Sequence, residues 1–174
     1  MRSLIPAVPI LVALAGCAAP PPAPEVRPAP IVTPAPRPTP VPTPLASEWN
    51  DWPFTPGDWA YRRDARGSIA LFGMASGDAA MTLRCDRARA MLYLSVQGMA
   101  ANATVRTTSL SRTIALQPTG GDAGYAATAL GTNDTLLDAI AFSRGRFVIE
   151  RAAQPPLVVP PYAEIGRVIE DCRG

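Results

Sequence analysis

The side chains that most enzymes use for nucleophilic and acid–base chemistry are sparse in this sequence. The 174 residues contain no histidine, and all 16 basic residues are arginine. Without histidine or lysine the chain cannot form a serine–histidine or cysteine–histidine pair, a Schiff base, a P-loop phosphate lysine or a histidine-ligated zinc site. Composition therefore excludes most hydrolase mechanisms, and we expect no enzymatic activity, no metal and no organic cofactor.

The remaining candidates for chemistry are carboxylates and arginines near one predicted helix. Asp134 and Asp138 are four residues apart, where they could transfer protons or hold a cation, or simply stabilise the helix start. The Ser-Arg-Gly-Arg segment at 143–146 could bind phosphate or carboxylate, or complement the helix dipole. We favour the structural roles and keep Arg144 and Arg146 as candidate ligand contacts.

Aromatic residues are concentrated at the start of the predicted domain. Such a group could form a stacking platform for a sugar or peptide, or seal the core where the chain enters the fold. We favour the seal and keep the tryptophans as candidate ligand contacts. The five residues are Trp49, Trp52, Phe54, Trp59 and Tyr61.

Cys17 follows a segment typical of a secretion signal. Arg2 supplies a positive charge, and residues 4–14 form an apolar stretch too short to span a bilayer of about 30 Å as a helix. The Leu-Ala-Gly-Cys sequence at 14–17 resembles the lipobox of bacterial lipoproteins. The resemblance implies that residues 1–16 are a cleaved signal peptide and that Cys17 becomes the acylated first residue, with palmitate among its acyl chains.

The residue after the cysteine bears on location. In Gram-negative members of the lipoprotein family an aspartate there favours the inner membrane, so Ala18 implies the periplasmic face of the outer membrane. Each buried methylene of an acyl chain contributes about 0.8 kcal/mol. Three chains would make the N-terminal attachment to the membrane effectively permanent.

A proline-rich stretch follows the proposed anchor. Between residues 20 and 44, 12 of 25 residues are proline, which disfavours helix and sheet and favours polyproline II. At about 3.1 Å per residue the stretch could extend roughly 80 Å. We interpret residues 17–47 as a lipidated N-terminus and a disordered stalk, and regard a Pro-x-x-Pro recognition motif as the less favoured alternative.

Residues 48–174 are predicted to form a single globular domain. From residue 46 onward 13 arginines balance 13 acidic residues, so we expect no binding to nucleic acid. Arg84, Arg87 and Arg89 beside Asp86 are interpreted as a solvated turn.

Short alternating or apolar segments separated by turn residues predict antiparallel strands in a meander. We expect an α+β fold, mainly β, with a curved sheet or small barrel as its scaffold. The predicted strands are 68–73, 81–85, 91–96, 104–109, 113–117 and 125–130.

Two short helices complete the prediction. The first covers about 134–143, with Thr132 or Asn133 as its cap and Gly145 as its terminator. The second covers about 161–172 and has one apolar face. That face consists of Ile165, Val168, Ile169 and Cys172.

Two cysteines remain once Cys17 is acylated. In an oxidising periplasm Cys85 and Cys172 are expected to form a disulfide, although two buried thiols are the alternative. Closing a loop of this length would stabilise the fold by about 4 kcal/mol in the chain-entropy model.

Several short motifs carry a further resemblance. The domain resembles uncharacterised small envelope proteins of alphaproteobacteria and, more loosely, the invasion-associated locus B family of periplasmic β-rich proteins with paired cysteines. The resemblance implies location and fold type, because its motifs include no catalytic residue. The motifs are Gly57-Asp58-Trp59, Leu83-Arg84-Cys85, Leu136-Leu137-Asp138, 143–147 and 167–173.

Together these features predict an envelope lipoprotein that carries a non-enzymatic binding or structural domain on a proline-rich stalk. Its expected partner is peptidoglycan or an envelope protein. The first alternative is an inhibitor or accessory subunit of a periplasmic enzyme. A glycosidase is a distant alternative and would need two carboxylates about 5–9.5 Å apart across a cleft.

Overall fold

The computed structural model describes residues 46–120 and 124–174. The predicted signal peptide, the acylated Cys17 and the proline-rich stretch lie outside these residues. Neither helix in the described part of the chain combines the length and the apolar character that a bilayer crossing requires.

The described residues form ten strands and two α-helices. All strand pairs are antiparallel. In chain order the elements are β1 (Asp58–Asp64), β2 (Gly67–Gly73), β3 (Met81–Asp86), β4 (Met91–Gln97), β5 (Asn102–Arg106), β6 (Ser111–Ala115), β7 (Gln117–Pro118), β8 (Tyr125–Gly131), α1 (Thr135–Ala141), β9 (Phe147–Glu150), β10 (Leu157–Val159) and α2 (Ala163–Arg173).

A six-stranded sheet contains most of the predicted strands. Its order is β1-β2-β3-β4-β8-β7, so β2, β3 and β4 follow one another as in the predicted meander. Apolar and polar residues alternate along β3 and β4, which buries one face of the sheet and leaves the other partly exposed. Between these strands Asp86 accepts a hydrogen bond from the backbone N–H of Arg89, and Ala90 adopts a left-handed conformation that closes the turn.

A separate four-stranded sheet departs from the predicted meander. Its order is β10-β9-β5-β6, and within the described residues the two sheets stay open rather than closing into a barrel. The chain leaves the smaller sheet at Leu116, which lies at the corner between β6 and β7. Its side chain is buried, and its backbone N–H donates a hydrogen bond to the carbonyl of Ala101.

Four strands were not predicted. β9 and β10 are short and almost entirely buried, so they lack the alternation that marks a half-exposed strand. β7 has only two residues. β1 is an edge strand whose sequence ends in charged residues, a composition that also suits a loop.

Helix α1 is shorter than predicted. Its cap is Asp134, whose carboxylate accepts a hydrogen bond from the N–H of Leu136, so the prediction of Thr132 or Asn133 was wrong. The helix ends at Ala141. Gly145 has a φ of 78°, but it turns the chain four residues beyond the helix end and does not cap it.

Helix α2 packs its apolar stripe on the inner face of the larger sheet, mainly against β2 and β3. The four predicted residues of that stripe are buried. The structure joins Cys172 of this helix to Cys85 of β3 through a disulfide with Cα atoms 5.4 Å apart, the pair that the sequence predicts. Buried side chains of both sheets and both helices form one continuous core.

Candidate functional site

The outer face of the six-stranded sheet carries two rows of side chains that cross its central strands. In one row Thr82 lies opposite Ser95, which in turn lies opposite Ala127 of β8. In the other row Arg84 lies opposite Tyr93. Each of these positions alternates with a buried one, so the strands that build the core also direct these side chains outward.

Small residues make this face concave. Ala115, Ala127 and Ala129 give a shallow floor beside the larger side chains, and a groove of about 690 Å³ results. We call it the sheet-face groove. Its lining residues are Arg66, Thr82, Arg84, Tyr93, Ser95, Ala115, Gln117, Pro118, Thr119, Ala127, Thr128 and Ala129.

The polar groups of the groove are available to a ligand. Within residues 46–120 and 124–174, the side chains of Thr82, Ser95 and Tyr93 form no hydrogen bond with the protein. All three residues are only partly buried. These three hydroxyl groups and the ring of Tyr93 are therefore free to contact a ligand, and the described lining of the groove includes no carboxylate.

Arginines surround one end of the groove. Arg84 Nη1 lies 2.7 Å from Asp64 Oδ2. Arg66 Nη2 and Arg89 Nη1 share Asp86 Oδ2, at 3.1 and 2.7 Å respectively. Each guanidinium has further N–H groups beyond those used in these pairs.

The two aspartates at this end remain ionised at neutral pH. The hydrogen bond from Arg84, helped by the backbone N–H of Arg66, lowers the pKa of Asp64. Hydrogen bonds from Arg89 and Arg66 lower the pKa of Asp86.

The same end carries a net positive charge. Arg62 projects from the exposed outer side of β1, in line with Ile69 and Arg84 on the neighbouring strands. Three arginines, Arg66, Arg84 and Arg89, pair with two aspartates at this end, which leaves one positive charge in excess before Arg62 is counted.

Trp59 occupies a structural position. Its indole N–H donates a hydrogen bond to the carbonyl of Pro160 at 2.8 Å, and its ring lies 5.3 Å from that of the buried Phe72. These contacts fit the seal that we favoured from the sequence, and they place Trp59 away from the outer face.

Tyr61 takes part in a polar network between β1 and α2. Its hydroxyl donates to Asp171 Oδ2 at 2.5 Å, and Arg63 donates to both the Tyr61 hydroxyl and Asp171 Oδ1, at 2.6 and 2.8 Å. Burial acts to raise the pKa of Asp171, but the hydrogen bonds outweigh it, and the pKa lies below its ordinary value. The network fastens the edge strand to the helix.

The other candidate aromatic residues lie in the entry segment. Trp49 is in a short 3₁₀ helix, and the Trp52 indole donates to the carbonyl of Ala46 at 2.7 Å. The guanidinium of Arg146 donates to the Trp52 carbonyl and lies 4.4 Å from the centroid of the Phe54 ring. The structure thus brings Trp52 and Arg146 together, in contacts that hold the entry segment to the domain.

Arg144 does not join this group. Its backbone N–H donates to the hydroxyl of Thr108 at 3.1 Å, and the residue is exposed. The two arginines of the segment therefore have different surroundings, and neither lines the sheet-face groove.

The carboxylates of α1 both bind arginine. Asp134 contacts Arg112 at 2.8 Å while capping the helix, and Asp138 contacts Arg173 at 2.9 Å. In the described part of the chain no group of three or more cysteine, aspartate or glutamate side chains is placed to hold a metal ion.

A second concave surface lies beside the two helices. Phe142 and Tyr162 are 79% and 58% exposed, although both are large aromatic residues. They line a groove of about 520 Å³ together with Pro161, Gly166 and Arg167. We call it the helix groove.

Sequence reasoning missed the sheet-face groove. It included Arg84 in the predicted strand 81–85 but interpreted its side chain as part of a solvated turn, whereas the structure places this residue in the middle of the sheet, 23% exposed at its side chain. The polar residues of β3 and β4 were visible as an alternating pattern. Only the register shows that Thr82, Ser95, Arg84 and Tyr93 are neighbours.

Comparison with known proteins adds no assignment. This chain matches no protein family, no curated protein and no solved structure. The resemblance to alphaproteobacterial envelope proteins therefore stays a prediction.

Proposed function

We propose that this chain is a lipid-anchored protein of a Gram-negative outer membrane, whose folded domain binds a polymer of the cell wall without altering it. The lipobox-like segment ending at Cys17 and the proline-rich stalk support anchoring and reach. The disulfide between Cys85 and Cys172 suits an oxidising compartment such as the periplasm.

The observation that carries the binding role is the sheet-face groove. Its hydroxyls, aromatic ring and guanidiniums are groups that hold a polar ligand, and they lie on rigid strands. A binding role without catalysis is supported by the lining of the groove, because the described residues that line it include no carboxylate. A glycosidase needs two carboxylates facing its substrate.

Co-sedimentation with purified peptidoglycan tests wall binding. The full chain is extracted from membranes in detergent, mixed with insoluble peptidoglycan and centrifuged. We expect the protein in the pellet, in an amount that saturates as the protein concentration rises. A chain that remains in the supernatant at every peptidoglycan concentration contradicts the proposal.

Membrane fractionation tests the anchor separately. We expect Cys17→Ser to release the chain into the soluble periplasmic fraction, because the thiol that would carry the acyl chain is lost. Retention of the variant in the membrane pellet would show that Cys17 is not the anchor.

The helix groove supports a second candidate function, binding of an envelope protein as its inhibitor or accessory subunit. Exposed aromatic residues such as Phe142 and Tyr162 are enriched where proteins associate. A photo-crosslinking residue at position 162 in intact cells is expected to capture one defined protein. A matched crosslinker at the exposed Gly77 should not capture it.

A further inference from the structure

We infer that the sheet-face groove binds a glycan chain bearing carboxylate groups, with Arg84 and Arg66 recognising the acidic group. This inference rests on the proposed function and specifies the ligand of its site. It depends on the shape of the groove, the unengaged hydroxyls and the excess of positive charge.

The shape of the groove suits an extended ligand. Adjacent strands are about 4.8 Å apart, so the row from Thr82 through Ser95 and Ala127 to Gln117 spans about 14 Å. The row of Arg84 and Tyr93 runs parallel to it at a distance of about 7 Å. A short oligosaccharide lying across the strands would contact both rows.

Sugar recognition is supported by the groups in each row. Thr82 and Ser95 present hydroxyls, and the carboxamide of Gln117 can donate and accept hydrogen bonds. The ring of Tyr93 stands beside Ala127 and Ala129, which are too small to cover it. A sugar ring can place its apolar C–H face on the aromatic ring while its hydroxyls bond to the polar row.

The charge at one end of the groove selects for an acidic sugar. Three arginines and two aspartates form the ion pairs at that end, and no described carboxylate lines the groove. A guanidinium can bind a carboxylate through two parallel hydrogen bonds. The side chain of Arg66 is 58% exposed, so it can contact a ligand while it keeps its ion pair with Asp86.

The test compares two disaccharides that differ by one acidic group. The acidic probe is N-acetylglucosamine linked to N-acetylmuramic acid, and the neutral probe is di-N-acetylchitobiose. Titration calorimetry with the full chain in detergent should show at least about tenfold tighter binding of the acidic probe, the gain expected for a charge-assisted hydrogen bond. Equal binding of the two probes would overturn the inference.

Arg84→Gln locates the acid-binding group. We expect this variant to bind the acidic probe about tenfold more weakly and the neutral probe as before. The matched control is Arg106→Gln, which also removes an arginine paired with a carboxylate, Glu150 at 2.6 Å, but on the smaller sheet. If both variants bind the acidic probe alike, the groove is not the site.

Ser95→Ala tests the polar row without a change of charge. We expect this variant to bind both probes severalfold more weakly. The control is Thr104→Ala on the smaller sheet, which removes a hydroxyl that faces Thr113 of the same sheet and should not change the binding of either probe. Unchanged binding by the Ser95 variant would contradict the proposed orientation of the glycan. A further experiment uses inorganic phosphate as a competitor of the acidic disaccharide. If phosphate binds as tightly as that disaccharide, the groove binds anions in general and does not recognise a glycan.

Two sources could supply a carboxylate-bearing glycan, and separate arms distinguish them. Oligogalacturonate represents an acidic secreted polysaccharide, while the muramic acid disaccharide represents cell-wall glycan whose lactyl carboxylate is free because the stem peptide has been removed. If neither binds but the full chain still sediments with peptidoglycan, the ligand class is wrong and wall binding stands. If sedimentation fails while an acidic oligosaccharide binds, the wall-binding proposal is wrong and the groove assignment stands.

Discussion

The two faces of the six-stranded sheet are built from alternate residues of the same strands, yet they differ in nearly every property. The inner face presents Phe72, Leu83 and Leu94, which are at most 1% exposed and pack in the common core. The outer face presents Thr82, Arg84 and Tyr93 to solvent and to the groove. Position along the strand decides which role a residue has, because side chains alternate between the faces.

This comparison indicates how the domain would separate stability from the proposed binding. The inner residues, α2 and the disulfide hold the strands in register, and the register sets the spacing of the outer groups. Substitutions on the inner face should therefore unfold the domain, whereas those on the outer face should change binding with little effect on stability.

Loss of the disulfide is the largest expected effect. The double substitution Cys85→Ala and Cys172→Ala opens a link between residues 87 positions apart, and should lower the free energy of unfolding by about 4 kcal/mol. Urea denaturation of the full chain, followed by tryptophan fluorescence, measures the change. A reductant should destabilise the natural chain and leave the variant unaffected; equal sensitivity of both would contradict the role of the bond.

Removal of one inner side chain comes next. Leu94→Ala leaves a cavity in the common core, since Leu94 is fully buried there, and should cost about 3 kcal/mol. The same denaturation experiment measures it. A cost below about 1 kcal/mol would show that the inner face is not tightly packed at this position.

Gly67→Ala tests the close approach of two strands. Gly67 has a φ of +148°, and an added Cβ would lie 2.6 Å from the carbonyl oxygen of Cys85. We expect a loss of about 1–3 kcal/mol. The matched control is Gly77→Ala, where a Cβ meets no atom within 4 Å; if the two variants are equally stable, the contact between β2 and β3 is looser than described.

Acidification should weaken the network between β1 and α2. Folding lowers the pKa of Asp171 from 3.8. Its contribution to the free energy of unfolding is therefore complete above pH 3.8 and is lost as the pH falls through the lowered pKa. The stability difference between the natural chain and Asp171→Asn should be constant near neutral pH and shrink below about pH 4. A difference that stays constant down to pH 2 would contradict this assignment.

Ser95→Ala should have the smallest effect on stability. Its hydroxyl forms no hydrogen bond among the described residues, and surface changes of this kind usually shift the free energy of unfolding by less than about 0.5 kcal/mol. A larger loss would mean that the outer face also supports the fold, and the contrast between the faces would disappear.

Prediction from the sequence succeeded where local periodicity carries the information. The apolar stripe of α2 was recognised from its spacing, and β2, β3, β4 and β8 from alternation or apolar runs bounded by turn residues. It failed for β9 and β10, which are buried on both sides and too short to show a period. It also did not anticipate that β5 and β6 leave the meander to form a second sheet.

For the candidate site, too, the sequence identified conspicuous residues but not the residues that the fold brings together. Trp52, Trp59, Arg144 and Arg146 stood out because their types are conspicuous, but their contacts are with the chain itself or solvent. The groove consists of ordinary residues such as Thr82 and Ser95, which become a site only when β3 and β4 lie side by side. No property of either residue alone distinguishes it from other surface threonines and serines.

The sequence by itself determined the chemistry that is open to this chain and the elements that local patterns encode. It excludes histidine and lysine chemistry, and it supplies the cysteine pair and the amphipathic α2. Only the tertiary structure decided which strands are neighbours and therefore which polar side chains meet. The physical reason is that the alternation of polar and apolar residues is a property of one strand, whereas register depends on how the buried faces of several strands pack together.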